Sequence, residues 1–68
     1  MEKQIRNSIR RLRFDADEMT QQQLADLVAV SRQTIVAIEK GKYSPSLEVA
    51  FKIAEVFKKP ISDVFTYS

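Results

Sequence analysis

Arg32, Gln33, Val36, Ala37 and Lys40 lie along one side of "SRQTIVAIEKGK", while Ile35 and Ile38 share the other. Two apolar residues three apart form one buried stripe of a helix, and that leaves the other side to solvent. A guanidinium and an amide side by side offer directed hydrogen bonds, and Lys40 adds a charge. Taken singly, such residues read as the solvated start of an ordinary helix. The chain has no histidine and no cysteine, which removes the usual nucleophile–base pairs, disulfides and zinc sites. No enzymatic activity, cofactor or metal is expected, and no small-molecule pocket is evident. Asp15, Asp17 and Glu18 crowd three carboxylates into a short stretch, which reads as a solvated loop.

Net charge is only +2, but residues 1–13 hold a local +4 from Lys3, Arg6, Arg10, Arg11 and Arg13 against Glu2. Charge alone reads as a solvated helix face, with a phosphate-facing patch as the sharper alternative. No apolar run approaches the roughly 20 residues of a membrane span, so a single cytoplasmic domain without membrane contact is expected over residues 1–68, its core at about 5–65.

One glycine and two prolines leave nearly all of the chain free to be helical. The spacing predicts five helices. The first runs from about Gln4 to Ala16, with Ile5, Ile9 and Leu12 inward. The second is "QQQLADLV", opened by Thr20 and Gln23 as a capping box, with Leu24, Leu27 and Val28 as its stripe. The third is Arg32 to Lys40, with Ser31 as cap and Gly41 as left-handed terminator. The fourth begins at Ser46 after Pro45 and is the most apolar, through Leu47, Ala50, Phe51, Ile53, Ala54 and Phe57. The fifth is short, with Pro60 suited to its first turn, and carries Ile61, Val64 and Phe65. Phe51, Phe57 and Phe65 are assigned to the core. The terminal "VFTYS" is the one short run with a β-like alternation.

Only Ala29, Val30 and the cap Ser31 separate the second and third patterns. So short a link forces the two helices to cross at a large angle, as in a helix-turn-helix. Ala25 supplies the small residue where they cross, Ile35 the β-branched residue that packs back, and Val30 plugs the base of the turn.

With Gln21-x3-Ala25-x3-Ala29-x5-Ile35-x3-Glu39, "MTQQQLADLVAVSRQTIVAIEKGKYSPSLEVAFKIAEVF" and the upstream "IRRLR", the chain resembles the phage-repressor and Cro-like helix-turn-helix regulators, the xenobiotic-response-element family. The similarity covers about residues 7–65 and is nearest in kind to short, single-domain bacterial members. It implies an all-α, five-helix, lambda-repressor-like DNA-binding domain. It makes the third helix the recognition helix in the major groove, with Arg32 and Gln33 at base edges. Arg can bond guanine O6 and N7 together, and Gln adenine N6 and N7. Val36 and Ala37 would meet a thymine methyl or a sugar, and Ser31 and Thr34 phosphate or base. Gln21, Lys40, Lys42 and Tyr43 resemble the family's backbone clamps. Arg13 and Glu39 resemble its interhelical ion pair, a structural role. Arg10 and Arg11 are read as scaffold, a flanking phosphate contact being the minor alternative.

The resemblance further implies a double-stranded DNA partner and a homodimeric repressor on a palindrome. Phe65 and Tyr67 in the C-terminal tail are the candidates for dimerisation. A second reading keeps the fold as a protein-interaction module, antitoxin-like, with little DNA binding. The chain departs from the family at Ala29, where glycine is usual. It departs again at "DADEM", one residue longer than usual and lacking a glycine.

Overall fold

The computed structural model describes residues 2–68. Its first helix starts later than periodicity predicts. Residues Ile5–Asn7 form a strand, β1, and α1 spans Ile9–Asp15. The side-chain carbonyl of Asn7 accepts the Ile9 N–H at 3.2 Å, an Asx-type bond two residues on that starts the helix there. Ser8 occupies the cap position but makes no side-chain cap bond. The partner of β1 is β2, Phe65–Tyr67, antiparallel with Ile5 opposite Tyr67, Arg6 opposite Thr66 and Asn7 opposite Phe65. Gln4 and Ser68 prolong the ladder by exchanging two backbone bonds of 2.9 Å. The helical part otherwise follows expectation: α2 is Gln21–Val28, α3 Arg32–Glu39, α4 Leu47–Phe57 and α5 Ile61–Val64. The small hairpin joins the two ends of an otherwise helical domain.

Local chemistry sets these boundaries. Thr20 Oγ1 accepts the Gln23 N–H at 3.0 Å while Gln23 Oε1 accepts the Thr20 N–H at 2.8 Å, closing the capping box. Ser31 Oγ accepts the Thr34 N–H at 3.1 Å, and Ser46 Oγ the Val49 N–H at 3.2 Å. Gly41 ends α3 at φ 73°, with the Lys42 N–H returning to the Ala37 carbonyl at 2.9 Å. Pro60 stands one residue before α5, at its cap, not in its first turn.

The core gathers Ile9, Leu24, Ala25, Val28, Ile35, Ile38, Ile53, Ala54 and Val64. Phe57 and Phe65 pack against it from the rim. Phe51 does not: it is 53% exposed, as is Leu47 at 74%. At about 100° per residue, these two lie on the side of α4 turned away from Ile53. Leu27 is 61% exposed for the same reason, since it sits about 60° round α2 from Leu24 and about 100° from Val28, on the side away from Ala25.

Among the described residues, four non-glycine residues adopt left-handed backbone: Asp17, Glu18, Ala29 and Lys58. Ala29, at φ 60° and ψ 45°, thus keeps the geometry that glycine supplies in the family, and the Val30 N–H bonds the Ala25 carbonyl at 3.0 Å across it. Asp17 and Glu18, within "DADEM", are left-handed in succession. A left-handed L-residue costs roughly 1–2 kcal/mol, whereas glycine adds roughly 0.4–1 kcal/mol of unfolded-state entropy. Ala29→Gly is therefore expected to stabilise the domain by about 0.5–1 kcal/mol, and a thermal melt should show a rise of several degrees. A lowered melting temperature would mean that the Ala29 methyl contributes packing that outweighs the strain.

Candidate nucleic-acid interface

Helix α3 is held from three directions, and each hold begins with one polar side chain. From α1, the Arg13 guanidinium makes a two-pronged contact with Glu39, Nε to Oε2 at 2.7 Å and Nη2 to Oε1 at 2.9 Å. Its remaining nitrogen, Nη1, donates to the Met19 carbonyl at 2.8 Å, so the same side chain ties down the turn before α2. The pair lies largely out of water, with side-chain exposures of 15% for Arg13 and 9% for Glu39. From α2, Gln21 Nε2 donates to Glu39 Oε1 at 3.3 Å. From β1, Asn7 Nδ2 donates to the Ile38 carbonyl at 3.0 Å, a second bond to an acceptor in the last turn of α3 that also takes the Gly41 N–H at 3.0 Å. Asn7 thus starts α1 with its oxygen and steadies α3 with its nitrogen.

These contacts hold the inward side of α3 and leave its outward side open. Arg32 and Gln33 are exposed, and Val36 and Ala37 are half-buried. Ser31 Oγ lies 2.9 Å from Thr34 Oγ1, so the two hydroxyls are bonded to one another at the start of the helix. Lys40, Lys42 and Tyr43 follow, all exposed.

Between the N-terminus of α2 and this face runs an open groove. It is lined by Gln21, Gln22, Arg32, Val36, Glu39 and Lys40, with Arg10, Arg13, Glu18, Met19 and Thr20. The groove brings Gln21, Arg32, Val36 and Lys40 together as the sequence proposes. Gln33, Ala37, Lys42 and Tyr43 are not among its lining residues. Gln21 spends one amide hydrogen on Glu39 and keeps its other hydrogen and its oxygen free for a second partner. Among the described residues, Arg10, Arg32 and Lys40 have no carboxylate within 4.0 Å; the ion pairs are Arg11–Asp15, Arg13–Glu39 and Lys52–Glu48. With Glu39 already matched by Arg13, the groove and the outward face of α3 are net cationic and rich in hydrogen-bond donors.

Two residues escape a reading by periodicity. Asn7 carried a local signal, a short amide two residues before an apolar helix start, but its bond to Ile38 spans 31 positions. Arg10 is read with Arg11 as scaffold because both belong to the first helix. The fold separates them.

The arrangement defines a helix-turn-helix domain, with α2 and α3 joined by a left-handed turn and the outward face of α3 free for a nucleic acid. Comparison of the sequence places it further: residues 9–64 match the helix-turn-helix family of Cro/C1 type, and the chain belongs to that family. It is 61% identical over 49 residues to an uncharacterized HTH-type transcriptional regulator of Methanocaldococcus jannaschii, covering 72% of this chain and 74% of that one. It is 43% identical over 61 residues to the uncharacterized HTH-type transcriptional regulator YgzD of Bacillus subtilis, covering 90% and 91%. It is also 36% identical over 62 residues to the cryptic phage CTXphi transcriptional repressor RstR of Vibrio cholerae, covering 91% of this chain and 55% of the repressor. Relatives of this short type therefore occur in archaea as well as bacteria. Membership implies DNA binding in transcription regulation. Among the described residues no helix is long and apolar enough to cross a membrane.

Proposed function

We propose that the chain is a repressor that binds a palindromic operator as a homodimer, with α3 in the major groove. The observation that carries this reading is the contrast between the two sides of α3. Its inner side is fixed by Glu39, Ile35 and Ile38, while its outer side presents Arg32, Gln33 and Lys40 unpaired. Arg32 and Gln33 read base edges, and Val36 and Ala37 lie against a thymine methyl or the sugar. Gln21, Ser31, Thr34, Lys40, Lys42 and Tyr43 hold phosphates and set the register of the protein on the duplex. Similarity to a phage repressor supports the sign of regulation.

One recognition helix reads few base pairs, so a second copy supplies the other half-site about one helical turn, roughly 34 Å, away. Of the two tail residues proposed for dimerisation, Phe65 packs against its own core. Tyr67 stays 67% exposed beside its cross-strand partner Ile5, and this outer end of the hairpin is the proposed contact. The exposed Leu47 and Phe51 on α4 favour a second position for it. Selection from a random pool of duplexes should enrich paired inverted half-sites, and sedimentation should give twice the chain mass. Tyr67→Glu should halve that mass and Phe51→Glu leave it unchanged; the reverse result moves the interface to α4. A pool without enrichment, together with no binding to mixed DNA at low salt, overturns the DNA-reading function in favour of a protein-interaction module.

A further inference from the structure

The first helix of a helix-turn-helix domain is ordinarily assigned to the scaffold, yet Arg10 and Arg11 stand side by side on α1 with different surroundings. Arg11 faces Asp15 at 4.0 Å and lines a separate cleft with Lys58 and Lys59. The two share a third cleft with Asn7, Ser8 and Phe14, but Arg10 alone also lines the groove that holds Gln21, Arg32 and Lys40. It is exposed, makes no ion pair and donates no hydrogen bond among the described residues. Folding alone gives this guanidinium no partner. The groove has two carboxylates. Glu39 is engaged by Arg13 on both oxygens, and Glu18 is exposed and not within 4.0 Å of Arg10. Three unpaired cations from two different helices thus border one concave strip that holds a single unneutralised carboxylate.

Resting on the DNA-binding reading, we infer that Arg10 is a positioning residue that grips a backbone phosphate on the strand held at Gln21, and so extends the footprint beyond the helix-turn-helix. The ligand chemistry is a phosphodiester. A guanidinium suits it because its planar set of donors meets two phosphate oxygens at once. A contact of this kind carries no base information. It raises affinity for every duplex alike and adds one phosphate to the number neutralised on binding.

The test is anisotropy on a mixed-sequence duplex and on a selected site, each titrated from 50 to 200 mM salt, for the wild type, Arg10→Gln, Arg10→Lys and Arg11→Gln. One phosphate contact contributes about 0.9 to the log–log salt slope. Over that fourfold rise in salt the wild type should therefore lose about 3.5-fold more affinity than Arg10→Gln on both duplexes. Arg10→Lys should restore the slope and Arg11→Gln should leave it at the wild-type value. Melting temperature should not move in Arg10→Gln, which a purely structural role would lower. An unchanged slope in Arg10→Gln, or an equal loss in Arg11→Gln, overturns the inference while leaving DNA binding intact. A wild type with no salt-dependent binding overturns the underlying reading instead.

Discussion

Glu39→Ala is expected to cost about 3–5 kcal/mol of folding stability, because it strands the Arg13 guanidinium in a site with little water. The geometry makes the loss large. Both carboxylate oxygens are used, at 2.7 and 2.9 Å, and Gln21 loses its acceptor at 3.3 Å in the same step. Alanine offers none of these. The Met19 carbonyl still binds Nη1, so the arginine keeps one bond of three and most of its desolvation cost. A domain of this length has a total stability of only about 3–10 kcal/mol, so the variant should melt many degrees lower or fail to fold at room temperature. A calorimetric or circular-dichroism melt reads this directly. Arg13→Met combined with Glu39→Leu should recover much of the loss, since two apolar groups leave no charge unpaired. A single-variant loss below about 1 kcal/mol is the range of solvent-exposed pairs, and it would show that water reaches this one.

That pair was legible in the sequence through the family pattern, whereas its physical consequence depends on burial, which the sequence does not state. Signals confined to one turn of chain were the easiest to read. Thr20 with Gln23, Ser31, Ser46 and Gly41 each satisfy or end a helix through neighbours within a few residues, and each sits where expected. β1 had no such signal. Ile5 continues the apolar spacing of Ile9 and Leu12, and only its pairing with Tyr67 at the far end of the chain makes it a strand. Phe51, Leu47 and Leu27 show the opposite error, in which residue type outweighed angle. In so small a domain the core is too narrow to take every apolar side chain, and those turned about 100° or more from its centre stay wet. Ala29 is a third case. The turn keeps its left-handed residue without glycine, so the three-residue link between α2 and α3 sets the backbone and the Ala29 Cβ bears the clash. For the interface, the outward residues of α3 follow from periodicity, but the separation of Arg10 from Arg11 needed the position of α2 beside α1.

Arg32→Ala and Gln33→Ala should leave folding untouched and damage sequence choice. Both side chains are exposed and make no hydrogen bond within the described residues, so their removal exposes no buried partner and the melts should match wild type within about 0.5 kcal/mol. On a selected operator each variant is expected to bind about 5- to 150-fold more weakly, the equivalent of about 1–3 kcal/mol for a lost two-bond base contact. On mixed-sequence DNA the loss should be far smaller. Arg32→Ala sheds one charge there, and Gln33→Ala sheds none. The ratio between the two duplexes is the decisive quantity, because a phosphate contact such as that inferred for Arg10 lowers both together. Repeating the selection with Arg32→Ala should relax the preference at one position of each half-site and leave the spacing unchanged, since the spacing belongs to the dimer. Equal losses on both duplexes would move Arg32 to the backbone and leave Gln33 as the candidate reader. Should neither variant narrow the ratio, α3 does not read bases in the proposed register, however well Arg13, Asn7 and Gln21 brace it.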